Sequence, residues 1–174
     1  MCSGGGKFTA FQVDCLEAHN DYRLRHGVPR IELEKGLCKL AQEWANYLRD
    51  CGSLMPSKSC SYGENIYYKC SDRKVSPDPF EPVISWYNEG KKVTCNTNYP
   101  IKDIKHFAQV IWAKTKCMGV GYALSDDQTR LYVVANYYPP GNDPKTFCDN
   151  VKPLRDTVNF KKKVVTCPSI AKVL

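Results

Sequence analysis

Arg130-Leu131-Tyr132-Val133-Val134-Ala135-Asn136-Tyr137-Tyr138 is the stretch on which the architecture turns. Branched and aromatic residues dominate it, as they do in strands. Its centre, Leu131 to Ala135, is the longest uninterrupted apolar run in the chain and is apolar on both faces. A strand of that kind needs cover from both sides. Just upstream, Cys117 to Leu124 forms a second β-rich run, and Ser125-Asp126-Asp127-Gln128-Thr129 between the two reads as the turn of a hairpin.

Helices supply the cover. From Phe8 to His26 the residues Phe8, Phe11, Cys15, Ala18, Tyr22 and His26 recur at intervals of three or four, and Gly27 and Pro29 close the pattern. A second helix is expected from Gly36 to Asp50, with Leu37, Leu40, Ala41, Trp44, Leu48 and Cys51 on one side. Residues 52 to 79 read as loop around a short strand at Glu64 to Tyr68. A third helix follows Asp78, with Val83, Trp86 and Tyr87 turned inward, and a fourth covers Asp103 to Ala113. The expected fold class is α+β, a three-layer α-β-α sandwich. Residues 1–7 are expected to be a flexible leader, 8–145 the core, and 146–174 an extension stapled to it.

Composition bounds the class of protein. A chain of 174 residues fits one domain and buries an adequate core. Ten cysteines, an even count, point to disulfides and an oxidising compartment. Ten cysteines allow on the order of a thousand connectivities, so only Cys148 with Cys167 is suggested, on locality. The net charge of +7 is spread along the chain apart from Lys161-Lys162-Lys163, which does not imply nucleic acid. No apolar run is long enough for a membrane span. The start, Met1-Cys2-Ser3-Gly4-Gly5-Gly6, lacks an apolar signal core, so secretion requires a signal already removed. No Asn-x-Ser/Thr acceptor occurs.

Four segments carry a resemblance. They are His19-Asn20-Asp21-Tyr22-Arg23 with His26-Gly27-Val28-Pro29; Tyr62-Gly63-Glu64-Asn65-Ile66; His106-Phe107-Ala108-Gln109-Val110-Ile111-Trp112; and Asn136-Tyr137-Tyr138-Pro139-Pro140-Gly141-Asn142. In this order, with Trp86-Tyr87-Asn88-Glu89 between the second and third, the chain resembles the CAP superfamily of cysteine-rich secretory proteins, insect venom allergens and plant pathogenesis-related proteins. The resemblance implies secretion, a single venom allergen-like CAP domain, and a central cleft lined by two histidines and two glutamates. Glu64, Glu89 and His106 match three of these four, while Ser57 stands near the position of the first histidine.

That departure shapes the chemical expectation. Two carboxylates and one imidazole make a poorer zinc site than a pair of histidines, so Glu64, Glu89 and His106 are expected to bind divalent cations weakly and no cofactor is required. A weak hydrolase, metal-dependent or built on Ser57, His106 and a glutamate, is the third-ranked reading, because no nucleophile elbow accompanies the serine. The bland alternative is a buried polar cluster tying loop and helices together. His19 likewise reads as structural.

The family also implies lipid. Tyr99, Pro100, Ile101, Ile104 and Phe107 align with the loop by which sterol-binding relatives hold their ligand, and the alternative for Ile104 and Phe107 is that they face the core. A fatty-acid slot between the first and fourth helices is the second lipid expectation. The function expected is secreted, non-enzymatic binding of sterol, fatty acid or both, by a monomer. The competing class is an extracellular protein-interaction module, with Tyr67, Tyr68, Tyr87, Tyr137 and Tyr138 as candidate contacts.

Overall fold

Helix α1, Ala10–Arg25, starts where Thr9 and Gln12 cap each other reciprocally, the Gln12 N–H donating to the Thr9 hydroxyl and the Thr9 N–H to Oε1 of Gln12. It ends at Gly27, whose φ of +64° supplies the left-handed turn. The computed structural model describes residues 7–58, 61–92 and 103–155. The further elements are β1 (Glu32–Leu33), α2 (Lys35–Cys51), β2 (Gly63–Cys70), α3 (Phe80–Asn88), α4 (Lys105–Val110), β3 (Cys117–Leu124), β4 (Arg130–Tyr138) and α5 (Phe147–Asn150).

The sheet runs β1-β3-β4-β2, so the strand singled out for its two apolar faces lies between two partners. Both of its pairings are antiparallel, with Asn136 opposite Gly119 on one side and Glu64 on the other. β1 joins β3 in parallel; two residues of strand leave no period-two signal, and the sequence reading missed it.

Alternation along β4 divides the core. Tyr132 and Val134 face α2 and pack with Ala41, Ala45 and Leu48. Leu131, Val133, Ala135 and Tyr137 face the opposite layer, where Cys15, Ala18, Val83, Trp86, Phe107 and Ile111 come from α1, α3 and the α4 region. The three-layer sandwich is the architecture observed. Two glycines make the α2 layer close: a Cβ on Gly119 would meet the α2 backbone at Leu37 and Cys38, and one on Gly121 would meet it at Ala41 and Gln42.

Several expectations change in detail. Leu40 and Cys51, placed on the buried stripe of α2, are exposed, and Ala45 takes an inward position. In α1 the buried face is wider than its apolar stripe and takes in His19, Asn20 and Arg23. The six cysteines among the described residues, Cys15, Cys38, Cys51, Cys70, Cys117 and Cys148, are free. The expected disulfide partner of Cys148, Cys167, lies outside the described residues, as do residues 1–6 of the expected flexible segment 1–7. The described part of the extension is tied to the core by hydrogen bonds: Lys152 accepts from the His26 ring, Arg155 N–H donates to the Arg25 carbonyl, and the Ala113 N–H donates to the Asn150 carbonyl.

Candidate functional site

The central cleft is assembled from three segments. Gly52, at φ +63°, ends α2 in the left-handed conformation, and the loop after it supplies Leu54, Met55 and Pro56. β2 contributes Glu64, Ile66 and Tyr68, which share one face by strand alternation. The first turn of α4 adds Lys105 and His106. Together these enclose a cleft of about 210 Å³, apolar along Leu54, Met55, Ile66 and Tyr68 and polar at Glu64, Lys105 and His106.

Of the four residues expected in the cleft, Glu64 and His106 line it, whereas Ser57 and Glu89 do not; each of the latter is hydrogen-bonded to one of the former. Glu64 Oε1 accepts the Ser57 backbone N–H at 2.8 Å. Glu89 Oε1 accepts from His106 Nδ1 at 2.7 Å, while its Oε2 accepts the backbone N–H groups of His106 at 3.1 Å and Phe107 at 3.3 Å. Glu89 therefore satisfies orphan donors at the start of α4 and orients the His106 ring with one carboxylate. Burial pushes its pKa up, but the hydrogen bond and charge of His106 and the two N–H groups outweigh that and hold it below the usual carboxylate value.

The donor set does not suit a metal. Both Glu89 oxygens are occupied, which leaves Glu64 Oε2 and His106 Nε2, fewer than the three protein ligands of an ordinary zinc site. No group of three or more His, Cys, Asp or Glu side chains close enough to hold a metal occurs among the described residues. Glu64 Oε2 is nonetheless buried without a hydrogen-bond partner, and so are both amide atoms of Asn136, its neighbour across the β2–β4 ladder.

Behind the cleft lies the polar core that the motifs encode. His19 is fully buried; its Nδ1 donates to the Cys15 carbonyl at 2.7 Å, so Nε2 accepts from the Tyr137 hydroxyl at 2.8 Å. Burial lowers its pKa to about 4, so the ring is neutral. The Tyr137 hydroxyl also accepts from Asn65 Nδ2, which donates to the His106 carbonyl as well. Arg23 donates to the carbonyls of Pro29, Val110, Trp112 and Thr115 at 2.7–3.3 Å, tying α1 to the end of α4. Burial brings its pKa down to about 10. Gln109 receives the Gly141 N–H and packs so closely on Gly63 and Gly141 that a Cβ at either would collide with its side chain. These residues are structural; they fix the sheet and α4, and thereby the cleft.

The lipid expectations fare differently. Ile104 and Phe107, assigned to a sterol-contacting loop, are 3% and 6% exposed and belong to the core beside Tyr87 and His26. Tyr99, Pro100 and Ile101 lie outside the described residues. The first and fourth helices are packed, not parted, through the Arg23 bonds and the edge-to-face contact of His26 with Phe107. The sequence reading missed Leu54, Met55, Pro56, Ile66, Tyr68 and Lys105 as cleft residues. An irregular loop carries no periodicity from which its facing could be read.

Comparison with known proteins agrees with this fold. The CAP cysteine-rich secretory protein family matches residues 16–137. Human "Golgi-associated plant pathogenesis-related protein 1" is 34% identical over 148 residues, 82% of this chain and 93% of that protein. "Secreted protein RBT4" of Candida albicans is also 34% identical over 148 residues, but the chain spans only 39% of its length. "Venom allergen 3" of Solenopsis invicta is 30% identical over 126 residues, covering 66% of this chain and 54% of that one. Among solved structures, BmVAL-1 superposes with a TM-score of 0.65 at 23% identity, covering 88% of this chain and 85% of that one. NaASP2, solved with Zn²⁺, has a TM-score of 0.61 at 18% identity, with 82% and 86% covered. The chain belongs to the CAP family of cysteine-rich secretory proteins.

Proposed function

We propose that the protein is a secreted, non-catalytic carrier of amphipathic lipid, sterol or fatty acid, held at the central cleft. The observation that carries this reading is the cleft's division into an apolar wall, Leu54, Met55, Ile66 and Tyr68, and a polar end at Glu64, Lys105 and His106. A hydrocarbon gains about 25 cal/mol per Å² of apolar surface withdrawn from water, and a hydroxyl or carboxyl keeps its hydrogen bonds at the polar end. At about 210 Å³ the cleft is smaller than the roughly 300 Å³ at which whole-ligand pockets begin, so it takes the head of a lipid whose tail lies across the apolar wall. Tyr99, Pro100 and Ile101 remain part of this proposal as the sterol-contacting loop. The packed α1–α4 pair favours the cleft over a helix slot for fatty acid.

Binding is preferred to hydrolysis because Ser57 meets Glu64 through its backbone N–H, and the oxygens of Glu89 are spent on holding His106 and the start of α4. The names of relatives support an extracellular setting for RBT4 and the venom allergen, and a Golgi-associated one for the human protein. Protein recognition is the second reading, favoured by the exposure of Tyr68 and Tyr138; Tyr87 and Tyr137 are buried and cannot serve it.

Titration with labelled cholesterol and palmitate tests the proposal, with Met55→Glu and the Tyr99→Ala/Ile101→Ala double variant beside the parent. Saturable binding weakened by Met55→Glu places the lipid in the cleft. Binding lost only in the double variant moves the site to the loop, and no saturable binding to either lipid sinks the reading.

A further inference from the structure

The outer face of α2 and the loop that follows it carry large apolar side chains that the core does not use. Tyr47 is 48% exposed and Leu54 54%, and Leu40, Met55 and Tyr68 are exposed as well. These are not scattered. Trp44 stacks on Tyr47 with ring centroids 4.8 Å apart, donates from Nε1 to the Met55 carbonyl at 3.2 Å, and packs on the core beside Ile66. Leu40 lies one turn before Trp44 on the same helix face. Met55, Leu54 and Tyr68 then continue the surface into the mouth of the cleft. A ridge of this kind on a soluble chain marks an interaction surface.

We infer that this ridge docks on an anionic lipid bilayer. Its composition fits the membrane interface, where Trp and Tyr seat an apolar body in the acyl boundary and a polar edge among the headgroups. Its charges fit as well. Lys105, which lines the cleft, and Lys58, which follows Ser57 in the loop, are exposed, and among the described residues no carboxylate pairs with either. The acidic groups on α2 are already matched, Glu43 by Lys39 at 3.9 Å and Asp50 by Arg49 at 2.8 Å. The chain as a whole carries +7, so approach to an anionic surface is favoured at long range. The ridge is also continuous with the cleft, so a docked molecule would present the cleft mouth to the lipid surface. The docking itself does not depend on lipid carriage being correct.

Co-sedimentation of the full chain with vesicles of phosphatidylcholine alone, and with vesicles that also contain phosphatidylserine, tests the inference. Tryptophan emission is read in parallel. Trp86 and Trp112 are 2% and 1% exposed, so a blue shift on binding reports Trp44. The expected result is binding to the serine-containing vesicles with a blue shift. The double variant Tyr47→Ser/Leu54→Ser, its fold checked by near-ultraviolet circular dichroism, should bind about tenfold more weakly because it withdraws less apolar surface from water. Failure of the parent to bind overturns the inference. So does equal binding by the variant, or binding without a blue shift, since either would place attachment elsewhere on the basic surface. A parent dimer in light scattering that the variant dissolves would assign the ridge to a second copy of the chain and overturn it as well.

Discussion

Glu89 grips His106 at two points, its Oε1 lying 2.7 Å from the ring Nδ1 and its Oε2 3.1 Å from the backbone nitrogen. The grip fixes the ring and removes the second glutamate from any ligand set. It is the reason the cleft offers a metal only Glu64 and His106 among the described residues, and Ser57, which donates its N–H to Glu64, stands near the place where the family resemblance puts a histidine.

Ser57→His should therefore create a zinc site. The parent is expected to show no stoichiometric complex with micromolar Zn²⁺ by calorimetry, and the variant to bind one ion saturably as a third ligand joins Glu64 and His106. Tight binding by the parent would show that the grip on His106 does not govern the site.

His19 makes stability depend on pH. Its pKa is lowered from 6.5 to about 4, chiefly by burial, with Arg23 adding to the effect and the Cys15 carbonyl opposing it; Tyr137 faces its other nitrogen. The unfolded chain therefore binds a proton that the folded chain refuses between these values. The neutral ring's contribution is complete above about pH 6.5 and is lost as pH falls toward 4, on the order of 3 kcal/mol in all. Urea midpoints at neutral pH and at about pH 4 should differ by correspondingly less in His19→Gln; an unchanged difference would assign the acid sensitivity to other groups.

Arg23 answers four carbonyls, those of Pro29, Val110, Trp112 and Thr115, from a fully buried position. A lysine keeps the charge but has no planar fork to reach acceptors on four sides. Arg23→Lys should cost about 3 kcal/mol, because carbonyls left unpaired in the interior each carry a desolvation penalty. A loss below about 1 kcal/mol in denaturant unfolding would mean that the carbonyls find other donors.

How much of this was legible in the sequence depends on whether a residue's role leaves a periodic trace. The two apolar faces of Leu131 to Ala135 did, and they led to the covered sheet that is observed. The clustering of Glu64, Glu89 and His106 was read from motifs, not from periodicity. The buried polar face of α1 was partly hidden: His19 reads as structural, but Asn20 and Arg23 lie off the apolar stripe, and their burial follows only from the carbonyls that satisfy them. Leu40 shows the converse error, an apolar residue in phase with the core stripe that faces outward. Leu54 and Met55 sit in a loop, where facing follows from the turn at Gly52 and not from spacing. The β1 pairing was invisible because it is fixed by the neighbouring strand at Cys117 and Met118 and not by its own two residues.

The closeness of α2 to the sheet gives the last prediction. Gly119 and Gly121 alternate along β3 toward α2, and a Cβ on either would run into helix backbone, at Leu37 and Cys38 or at Ala41 and Gln42. Backbone cannot swing aside as the end of a flexible side chain can, so Gly119→Ala and Gly121→Ala must push the helix off the sheet and loosen Ala41, Ala45 and Leu48 from Tyr132 and Val134. Each should cost about 3 kcal/mol in denaturant unfolding. Gly52→Ala is the control: nothing lies within 4 Å of its added Cβ, and only the φ of +63° is strained, which predicts a loss of about 1 kcal/mol. Because α2 also carries Trp44 and Tyr47, the β3 variants should change the Trp44 environment as well as stability, whereas Gly52→Ala should leave Trp44 emission unchanged. Equal losses at all three positions would refute the steric account of the α2 layer.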